Sequence, residues 1–349
     1  MKEIKIEEAL NLENSIFIDV RTQKEYKEDH ILNAINIPLF YDEEHSDVGT
    51  IYKTKGKEEA IKKGFDYVSY KLKDIYTNVL ELSKKYDSIV IYCARGGMRS
   101  GSVINLLSSV GIKVYKLEGG YKSYRNYVLN YLENIMDTKH FIVIHGLTGV
   151  GKTDLINELT TLDVDGIDLE GIAKNSGSTF GFIGFDEKPP SQKRFESEIF
   201  EKLFFSKSDY ILIESESKRI GTVSIPNKIY DNIINSKYHL LIESSIENRV
   251  SRLCNDYITN KENKEKLKEC INKFRKRLGN EKVDEYILLL EYNKYEILVE
   301  KYLLEYYDPL YMHSVNKYVY NEVINFDNQK EGINKVLEIH KKLKGDKIC

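Results

Sequence analysis

One eight-residue segment limits the possible folds more than any other part of the sequence. Residues 146–153 read Gly-Leu-Thr-Gly-Val-Gly-Lys-Thr and match the pattern G-x-x-x-x-G-K-[ST]. An apolar run (141–145) precedes the segment and a helical pattern (152–159) follows it, which is the context that the pattern requires. We call residues 146–153 the P-loop and expect its backbone amides to hold a diphosphate or triphosphate group. The predicted phosphate-binding residues are Gly146, Gly149, Gly151, Lys152 and Thr153, and Thr153 is also a candidate Mg²⁺ ligand.

Four carboxylates are candidates for the acid that accompanies such a loop. Glu214 and Glu216 follow the apolar run 210–213, while Asp168 and Glu170 lie closer to the loop in sequence. In phosphate-binding sites of this kind, an acid at the end of a nearby strand helps to hold the metal ion. The alternative is that some of the four are exposed loop carboxylates without a role in the site.

The whole chain shows two blocks in which short apolar strands alternate with amphipathic helices, a pattern typical of α/β folds. With 349 residues the chain is long enough for two domains. We place the boundary between residues 136 and 137. In the second block further strands are predicted at 210–213 and 239–242, and long charged helices from about residue 247 to 307. The second domain is therefore predicted to be a P-loop α/β domain with a helical C-terminal part.

A second loop of interest lies in the first block, between the predicted strand 88–92 and the predicted helix 99–110. We call residues 93–100 the cysteine loop, and its candidate residues are Cys93, Arg95, Gly96, Gly97, Arg99 and Ser100. Amides of a glycine-containing loop and a helix N-terminus form an anion-binding concavity. We expect these dipoles, together with Arg95 and Arg99, to lower the pKa of the Cys93 thiol, so that it is a nucleophilic thiolate.

Two chemistries fit the cysteine loop taken alone. In a Cys-dependent phosphatase the thiolate attacks phosphorus, whereas in a sulfur or selenium transferase it carries the chalcogen. The surrounding segments resemble the rhodanese family over about residues 1–130. They are Asp19-Val20-Arg21, Glu25-Tyr26, His30-Ile31, Ala34–Pro38 and Leu117–Tyr121. This resemblance implies that Cys93 carries sulfur and that Asp19 and Arg21 brace the site. The phosphatase branch usually has His before the cysteine, where this chain has Tyr92, and that favours chalcogen transfer.

A rhodanese-like domain (1–136) followed by a P-loop domain (137–349) resembles the tRNA 2-selenouridine synthases. Short segments along nearly the whole chain contribute to the resemblance, in addition to the two loops. They are Val48–Lys53 with Ala60 and Gly64, Asp168–Ala173, Gly177-Ser178, Phe180-Gly181, Phe195-Glu196, Glu214–Ser217, Ile220-Gly221 and Tyr307–Tyr311. Departures from the family pattern are Asn175 and Ser176, where His and Arg are common, and Ala94, where Trp is frequent.

The family resemblance implies an enzyme that replaces sulfur by selenium in 2-thiouridine at the wobble position of tRNA, with selenophosphate as donor. It also implies an S-geranyl-2-thiouridine intermediate made from geranyl diphosphate. The two predicted anion sites suit these two co-substrates, with geranyl diphosphate at Lys152 and selenophosphate at Cys93. The alternatives are a sulfurtransferase coupled to an ATP- or GTP-hydrolysing domain, a Cys-dependent phosphatase, and a non-catalytic RNA-binding protein.

The overall charge of −3 gives no basic excess for RNA binding, so any RNA contact must be confined to a patch. Residues 261–280 contain eight Lys or Arg against three Glu, and the strongest candidates there are Lys273, Arg275, Lys276 and Arg277. The alternative is an ordinary solvated helix face.

The four cysteines show no C-x-x-C pair, which argues against a disulfide framework or a structural metal site. We expect no tightly bound cofactor. Because no signal segment or membrane span is recognisable, a cytoplasmic location is expected.

Overall fold

The computed structural model describes residues 2–135, 138–175, 188–258 and 262–345. The chain forms two compact units, Met1–Tyr131 with Glu196–Glu198, and Leu132–Phe195 with Ile199–Cys349. The boundary predicted between residues 136 and 137 lies outside the described residues. No helix of the described ranges is long and apolar enough to cross a membrane.

The first unit contains a five-stranded, fully parallel sheet with the order β1-β5-β4-β2-β3. Strands β2 and β4 are apolar and buried on both faces, as expected for inner strands of a parallel sheet. The elements are β1 (Lys2–Ile4), α1 (Ile6–Leu10), β2 (Ser15–Asp19), α2 (Gln23–Glu28), β3 (Ile35–Asn36), α3 (Asp42–Lys55), α4 (Lys57–Val68), a 3₁₀ turn (Ser69–Lys71), α5 (Leu72–Ser83), β4 (Ser88–Tyr92), α6 (Met98–Ser109), β5 (Tyr115–Leu117) and α7 (Tyr121–Asn134).

The second unit has a parallel sheet of its own, with the order β12-β11-β6-β8-β7, and a short antiparallel pair β9-β10. Its elements are β6 (His140–His145), α8 (Lys152–Thr161), β7 (Gly166–Ile167), α9 (Leu169–Ala173), α10 (Gln192–Phe204), β8 (Tyr210–Glu214), β9 (Arg219–Ile220), β10 (Val223–Ser224), α11 (Asn227–Ile234), β11 (Tyr238–Glu243), α12 (Ile246–Ile258), α13 (Glu262–Lys273), α14 (Arg275–Leu278), α15 (Asn280–Glu291), α16 (Tyr295–Tyr302), a π-helical segment (Leu303–Tyr307), α17 (Asp308–Val315), β12 (Glu322–Asn325) and α18 (Gln329–Gly345).

The helical C-terminal part is built differently from the long helices predicted. Between residues 246 and 315 the chain forms a series of short helices that pack around a core of their own, rich in aromatic rings such as Phe274, Tyr286 and Tyr302. Strand β12 then returns the chain to the sheet, beside β11. The prediction missed β12 because it has only four residues, of which Ile324 alone is buried.

In both units the sheet places one loop of interest at the carboxyl end of an inner strand. β4 leads directly into the cysteine loop and α6, and β6 leads directly into the P-loop and α8. Ligand sites of open parallel α/β sheets lie at this edge. The fold therefore puts both predicted loops where binding chemistry is expected.

Candidate functional site

The Cys93 sulfur is buried and surrounded by hydrogen-bond donors. Its side chain follows the last residue of β4 and is 3% exposed. The Ser100 hydroxyl lies 3.2 Å from Sγ, and the Gly97 amide donates to Sγ at 3.3 Å. Since both groups belong to the turn that starts α6, the strand–loop–helix geometry itself aims them at the sulfur.

Burial alone would raise the pKa of the Cys93 thiol, but the surrounding donors more than offset it. The net effect is a lowered pKa, caused by the Ser100 hydroxyl and the backbone amides of Ser100, Arg95 and Gly97. The predicted contribution of the two arginine side chains is not part of this set. Arg99 instead forms an ion pair with Glu25 at 2.6 Å, and the Arg95 side chain is exposed. The thiolate is therefore stabilised by local dipoles.

The turn at Gly119-Gly120 packs against the cysteine loop, and the residues that follow it are hydrogen-bonded to the start of the loop. The Tyr121 amide donates to the Cys93 carbonyl at 2.8 Å, and the Lys122 amide donates to that of Ala94 at 3.0 Å. Gly120 has a φ of +61°, and a Cβ at this position would come within 2.2 Å of the Cys93 carbonyl oxygen. Only glycine fits this close approach.

Asp19 and Arg21 form a buried pair at the end of β2, next to the end of β4. The Arg21 Nη2–Asp19 Oδ2 distance is 2.6 Å, and Arg21 also donates to the Asp29 carbonyl at 2.7 Å. The guanidinium lies over the Tyr121 ring, 3.9 Å from its centroid. These contacts fix the strand end beside the loop, which fits the bracing role that the rhodanese resemblance implies.

In the P-loop, the three glycines predicted as phosphate-binding all have positive φ angles, and Gly151 caps α8 in a left-handed conformation. Lys152 is the first residue of α8, and its Nζ donates to the Gly146 carbonyl at 3.2 Å. The Thr153 hydroxyl donates to Glu214 Oε1 at 2.8 Å. Lysine and threonine thus lie at the helix N-terminus, where they and the loop amides can hold phosphate oxygens.

The structure brings all four candidate acids together beside Lys152. Glu214, at the end of β8, is fully buried and accepts a hydrogen bond from the Glu170 amide, while Asp168 caps α9 through the Gly171 amide at 2.7 Å. Burial raises the pKa of Glu214 to about 8, and the neighbouring carboxylates add to the effect. Burial likewise raises the pKa values of Asp168, Glu170 and Glu216. The cluster therefore retains protons that ordinary carboxyl groups would lose.

Two arginines of α12 hold the P-loop in place, and neither was predicted from the sequence. Arg249 of α12 donates to the Thr148 carbonyl at 2.9 Å and forms an ion pair with Asp308 at 2.6 Å. Arg252 donates to the Val150 carbonyl at 3.0 Å. The signal that could have found Arg249 was Asp308, which lies in the family segment Tyr307–Tyr311.

A cavity of about 460 Å³ opens next to the P-loop, a size typical of small-molecule sites. Its lining includes the loop glycines, Lys152, Thr153 and Glu216, and other polar residues such as Arg252 and Lys317. The lining also includes six apolar or aromatic side chains, which are Tyr230, Ile234, Leu253, Tyr311, Val315 and Tyr318.

His145 also lines the cavity, and it was not predicted. Its Nε2 lies 2.8 Å from Nδ1 of His239, and burial lowers the pKa of His145 to about 3. The imidazole is therefore neutral at physiological pH and adds to the uncharged wall.

Comparison with known proteins decides the family. The model of the tRNA 2-selenouridine synthase AAA domain matches residues 139–344, and the model of the rhodanese-like domain matches residues 5–127. A tRNA 2-selenouridine synthase from Hydrogenovibrio crunogenus is 31% identical over 339 residues, 89% of this chain and 92% of that protein. The chain belongs to the tRNA 2-selenouridine synthase family.

Two further comparisons cover different shares of the chain. A tRNA 2-selenouridine synthase from Shewanella frigidimarina is 30% identical over 363 residues, covering 95% of this chain and 96% of that protein. A crystal structure of an N-terminal domain from Clostridium difficile 630 is 71% identical, covers 37% of this chain and 99% of that one, and has a TM-score of 0.36. The two domain matches confirm the predicted fold class, a rhodanese-like domain followed by a P-loop α/β domain with a helical C-terminal part.

Of the three residues that depart from the family pattern, the structure describes Ala94 and Asn175 but not Ser176. Asn175 lies two residues after α9, and its amide donates to the Glu170 carbonyl at 3.1 Å. Ser176 lies outside the described residues, as do the neighbouring family segments Gly177-Ser178 and Phe180-Gly181.

The basic segment predicted for tRNA is partly engaged in internal contacts. Arg275 forms an ion pair with Asp284 at 2.6 Å, and Arg277 donates to the Tyr306 hydroxyl at 2.7 Å. Lys273 and Lys276 are exposed, and Lys261 lies outside the described residues. The positive charge available from this segment is therefore smaller than its sequence indicates.

Within the described ranges, Cys93, Cys254 and Cys270 are free thiols, and no cluster of three or more His, Cys, Asp or Glu side chains is arranged to hold a metal ion.

Proposed function

We propose that this chain replaces sulfur by selenium in 2-thiouridine at the wobble position of tRNA, with selenophosphate as the donor. We further propose that S-geranyl-2-thiouridine, made from geranyl diphosphate, is the intermediate. The coarse assignment is supported by relatives named tRNA 2-selenouridine synthase, about 30% identical over about nine tenths of the chain. The finer assignment is supported by the two loops.

The single observation that carries the geranyl step is the mixed lining of the P-loop cavity. A diphosphate needs the amides and the cation on one side, and a hydrocarbon chain needs an uncharged wall beside them. The side chains of Tyr230, Ile234, Val315 and Tyr318 in the lining can supply the second requirement. In the proposed step, the thiocarbonyl sulfur bonds to C1 of the geranyl group while the C1–oxygen bond to diphosphate breaks. Lys152 would stabilise the charge on the departing diphosphate.

The geranyl step has a chemical purpose in this scheme. A thiocarbonyl sulfur is a poor leaving group, whereas an alkylated sulfur can depart as geranylthiol when the selenium of selenophosphate bonds to C2 of the base. Hydrolysis of the selenium–phosphorus bond then releases phosphate and leaves 2-selenouridine. The cysteine loop suits the second co-substrate, because its converging amides can hold the tetrahedral oxygens of selenophosphate close to the Cys93 sulfur. We assign the selenium-handling role to Cys93.

Thr153 and Glu214 are the residues that would hold Mg²⁺ at the P-loop. A hydroxyl and a carboxylate whose oxygens are 2.8 Å apart are suitable ligands, because Mg²⁺ is commonly bound by one or two carboxylates and substrate phosphates. When bound, the ion would neutralise charge on the leaving diphosphate.

The same pair of residues favours one rival function, a rhodanese-type sulfurtransferase coupled to ATP or GTP hydrolysis, because this pairing also holds Mg²⁺ in nucleotide-hydrolysing P-loop proteins. The rival predicts that the purified protein hydrolyses ATP or GTP and that geranyl diphosphate is not consumed.

The proposed function is tested by nucleoside analysis of tRNA from cells grown with selenite, with and without the gene. We expect 2-selenouridine to disappear in the deletion strain and to return when the gene is supplied again. An unchanged 2-selenouridine content on deletion would contradict the synthase assignment. Accumulation of unmodified 2-thiouridine is the expected accompanying change.

A further inference from the structure

We infer that the tip of the α3–α4 hairpin is a tRNA-binding surface, in which Tyr52 stacks on an unpaired base and three lysines contact phosphates. The tip consists of Tyr52, Lys53, Lys55, Gly56 and Lys57. This inference rests on the proposed function, because it takes tRNA as the substrate. It uses a segment, Val48–Lys53, that belongs to the family resemblance but plays no part in either loop.

The tip is a sharp helix–helix turn that exposes all of its side chains. Gly56 alone joins the two helices, with a φ of +91°, a conformation that favours glycine. The side chains of the three lysines are exposed, and Tyr52 is 58% exposed. Tyr52 therefore presents more than half of its surface to solvent.

The charge at the tip is only partly compensated, because Lys55 is near enough to Glu59 for its charge to lower the pKa of that carboxyl group. Among the described residues, none of the three lysines forms an ion pair, and the adjacent Glu58 and Glu59 are both engaged by Lys62, at 3.4 and 2.8 Å. Lys53 and Lys55 lie in the last turn of α3, where the helix dipole favours a cation. Lys57 is the first residue of α4, where the dipole disfavours one. The helix dipole therefore accounts for the cations at Lys53 and Lys55, but not for the one at Lys57.

The composition of the tip matches what single-stranded RNA requires. Aromatic rings stack on unpaired bases without strong sequence preference, and lysines bind the intervening phosphates. An unpaired loop that contains the base to be modified is the part of tRNA that such a surface would hold.

The position of the tip relative to the cysteine loop supports the same partner. His45, in the first turns of α3, is close enough to Arg99 and Glu25 for their charges to act on its pKa, which burial and Arg99 lower. Arg99 lies in the cysteine loop. The tip begins seven residues after His45 and extends to Lys57, so Tyr52 lies roughly 10 Å further along the helix axis. Residues seven apart also share a helix face, so Tyr52 lies on the same face of α3 as His45.

The test measures tRNA affinity as a function of salt. The full-length protein is titrated with tRNA that carries 2-thiouridine at the wobble position, by filter binding over a range of KCl concentrations. The tip variant is Lys53→Gln/Lys55→Gln/Lys57→Gln. The control is Lys73→Gln/Lys85→Gln/Lys113→Gln, which removes the same charge from exposed lysines elsewhere in the same unit. Thermal unfolding of both variants confirms that they are folded.

We expect the tip variant to bind more weakly and to reduce the slope of log K against log salt by about 0.7–0.9 for each phosphate that the tip no longer neutralises. Tyr52→Ala should weaken binding about 5- to 100-fold with little change in slope, and Tyr52→Phe should retain it. At saturating tRNA, kcat for modification should be unchanged in all of these variants, and the defect should appear as a raised KM.

The inference is overturned if the tip variant binds with the affinity and salt slope of the wild type, or if the control is weakened as much as the tip variant. Failure of the proposed function gives a different result, in which the wild-type protein itself does not bind or modify the tRNA.

Discussion

The two loops have the same local architecture but opposite electrostatic surroundings. Each follows an inner parallel strand, turns on glycines and ends at a helix N-terminus. The cysteine loop directs hydroxyl and amide donors at one protein atom and lowers the pKa of that thiol. The P-loop places one lysine beside four carboxyl groups whose pKa values are raised by burial. The cysteine loop thus stabilises negative charge on the Cys93 sulfur. The P-loop instead presents a cation, Lys152, and we propose that it stabilises negative charge on a ligand.

The largest expected effect is on the protein atom that carries this charge. Cys93→Ala should abolish selenium incorporation, by roughly 10³-fold or more, because the reactive atom is removed. Geranylation should persist, so that S-geranyl-2-thiouridine accumulates in the tRNA, as measured by nucleoside mass spectrometry. Cys254→Ala is the control and should leave both products unchanged. If Cys93→Ala is folded but forms neither product, the two loops do not serve separate steps.

The next effect concerns the cation of the P-loop. Lys152→Ala should slow geranylation by about 10²–10³-fold, because the charge on the leaving diphosphate loses its partner. The measurement is the initial rate of S-geranyl-2-thiouridine formation at saturating geranyl diphosphate. Lys317→Ala removes another cation from the same cavity without touching the loop, and it should cost much less. Equal reductions in the two variants would show that only the overall charge of the cavity matters.

A smaller effect should show whether hydrogen-bond donors or arginine side chains lower the pKa of Cys93. In Ser100→Ala the thiolate loses a hydroxyl donor, so the pKa of Cys93 rises and the thiolate fraction at neutral pH falls about tenfold. The rate of alkylation by iodoacetamide as a function of pH measures this. Arg99→Ala should change the rate less than about twofold, since its charge is balanced by Glu25. If the alkylation rate falls further in Arg99→Ala than in Ser100→Ala, the arginine side chains lower the pKa of Cys93, as the sequence predicted.

The smallest effect is on stability. The pKa of Glu214 is about 8 in the folded protein and close to 4.5 when unfolded, so the folded state binds more protons between these values. The melting temperature of the ligand-free protein should therefore fall as pH rises from about 5 to 8. Glu214→Gln should flatten this dependence, with a difference of a few degrees across the range measured by calorimetry. A slope as steep as that of the wild type would show that Glu214 is not the group responsible.

The sequence was sufficient to predict features that depend on neighbouring residues. The P-loop, the cysteine loop, and the strands β4 and β6 that lead into them are defined by local patterns, and the structure places them as expected. Partners that arise from long-range contacts could not be predicted in the same way. Arg249 lies about a hundred residues from the P-loop carbonyl that it binds, and His239 lies 94 residues from His145. The same limit explains why Arg99 was assigned to Cys93, since Glu25 is 74 residues away.

We propose that the P-loop serves the alkylation step alone and the cysteine loop serves the selenium step alone. The most direct test gives Lys152→Ala protein a tRNA that already carries S-geranyl-2-thiouridine, together with selenophosphate, and Cys93→Ala protein receives the same mixture. We expect Lys152→Ala to form 2-selenouridine at the wild-type rate and Cys93→Ala to form none. If Lys152→Ala is as inactive as Cys93→Ala on this substrate, the division of labour between the two loops is contradicted.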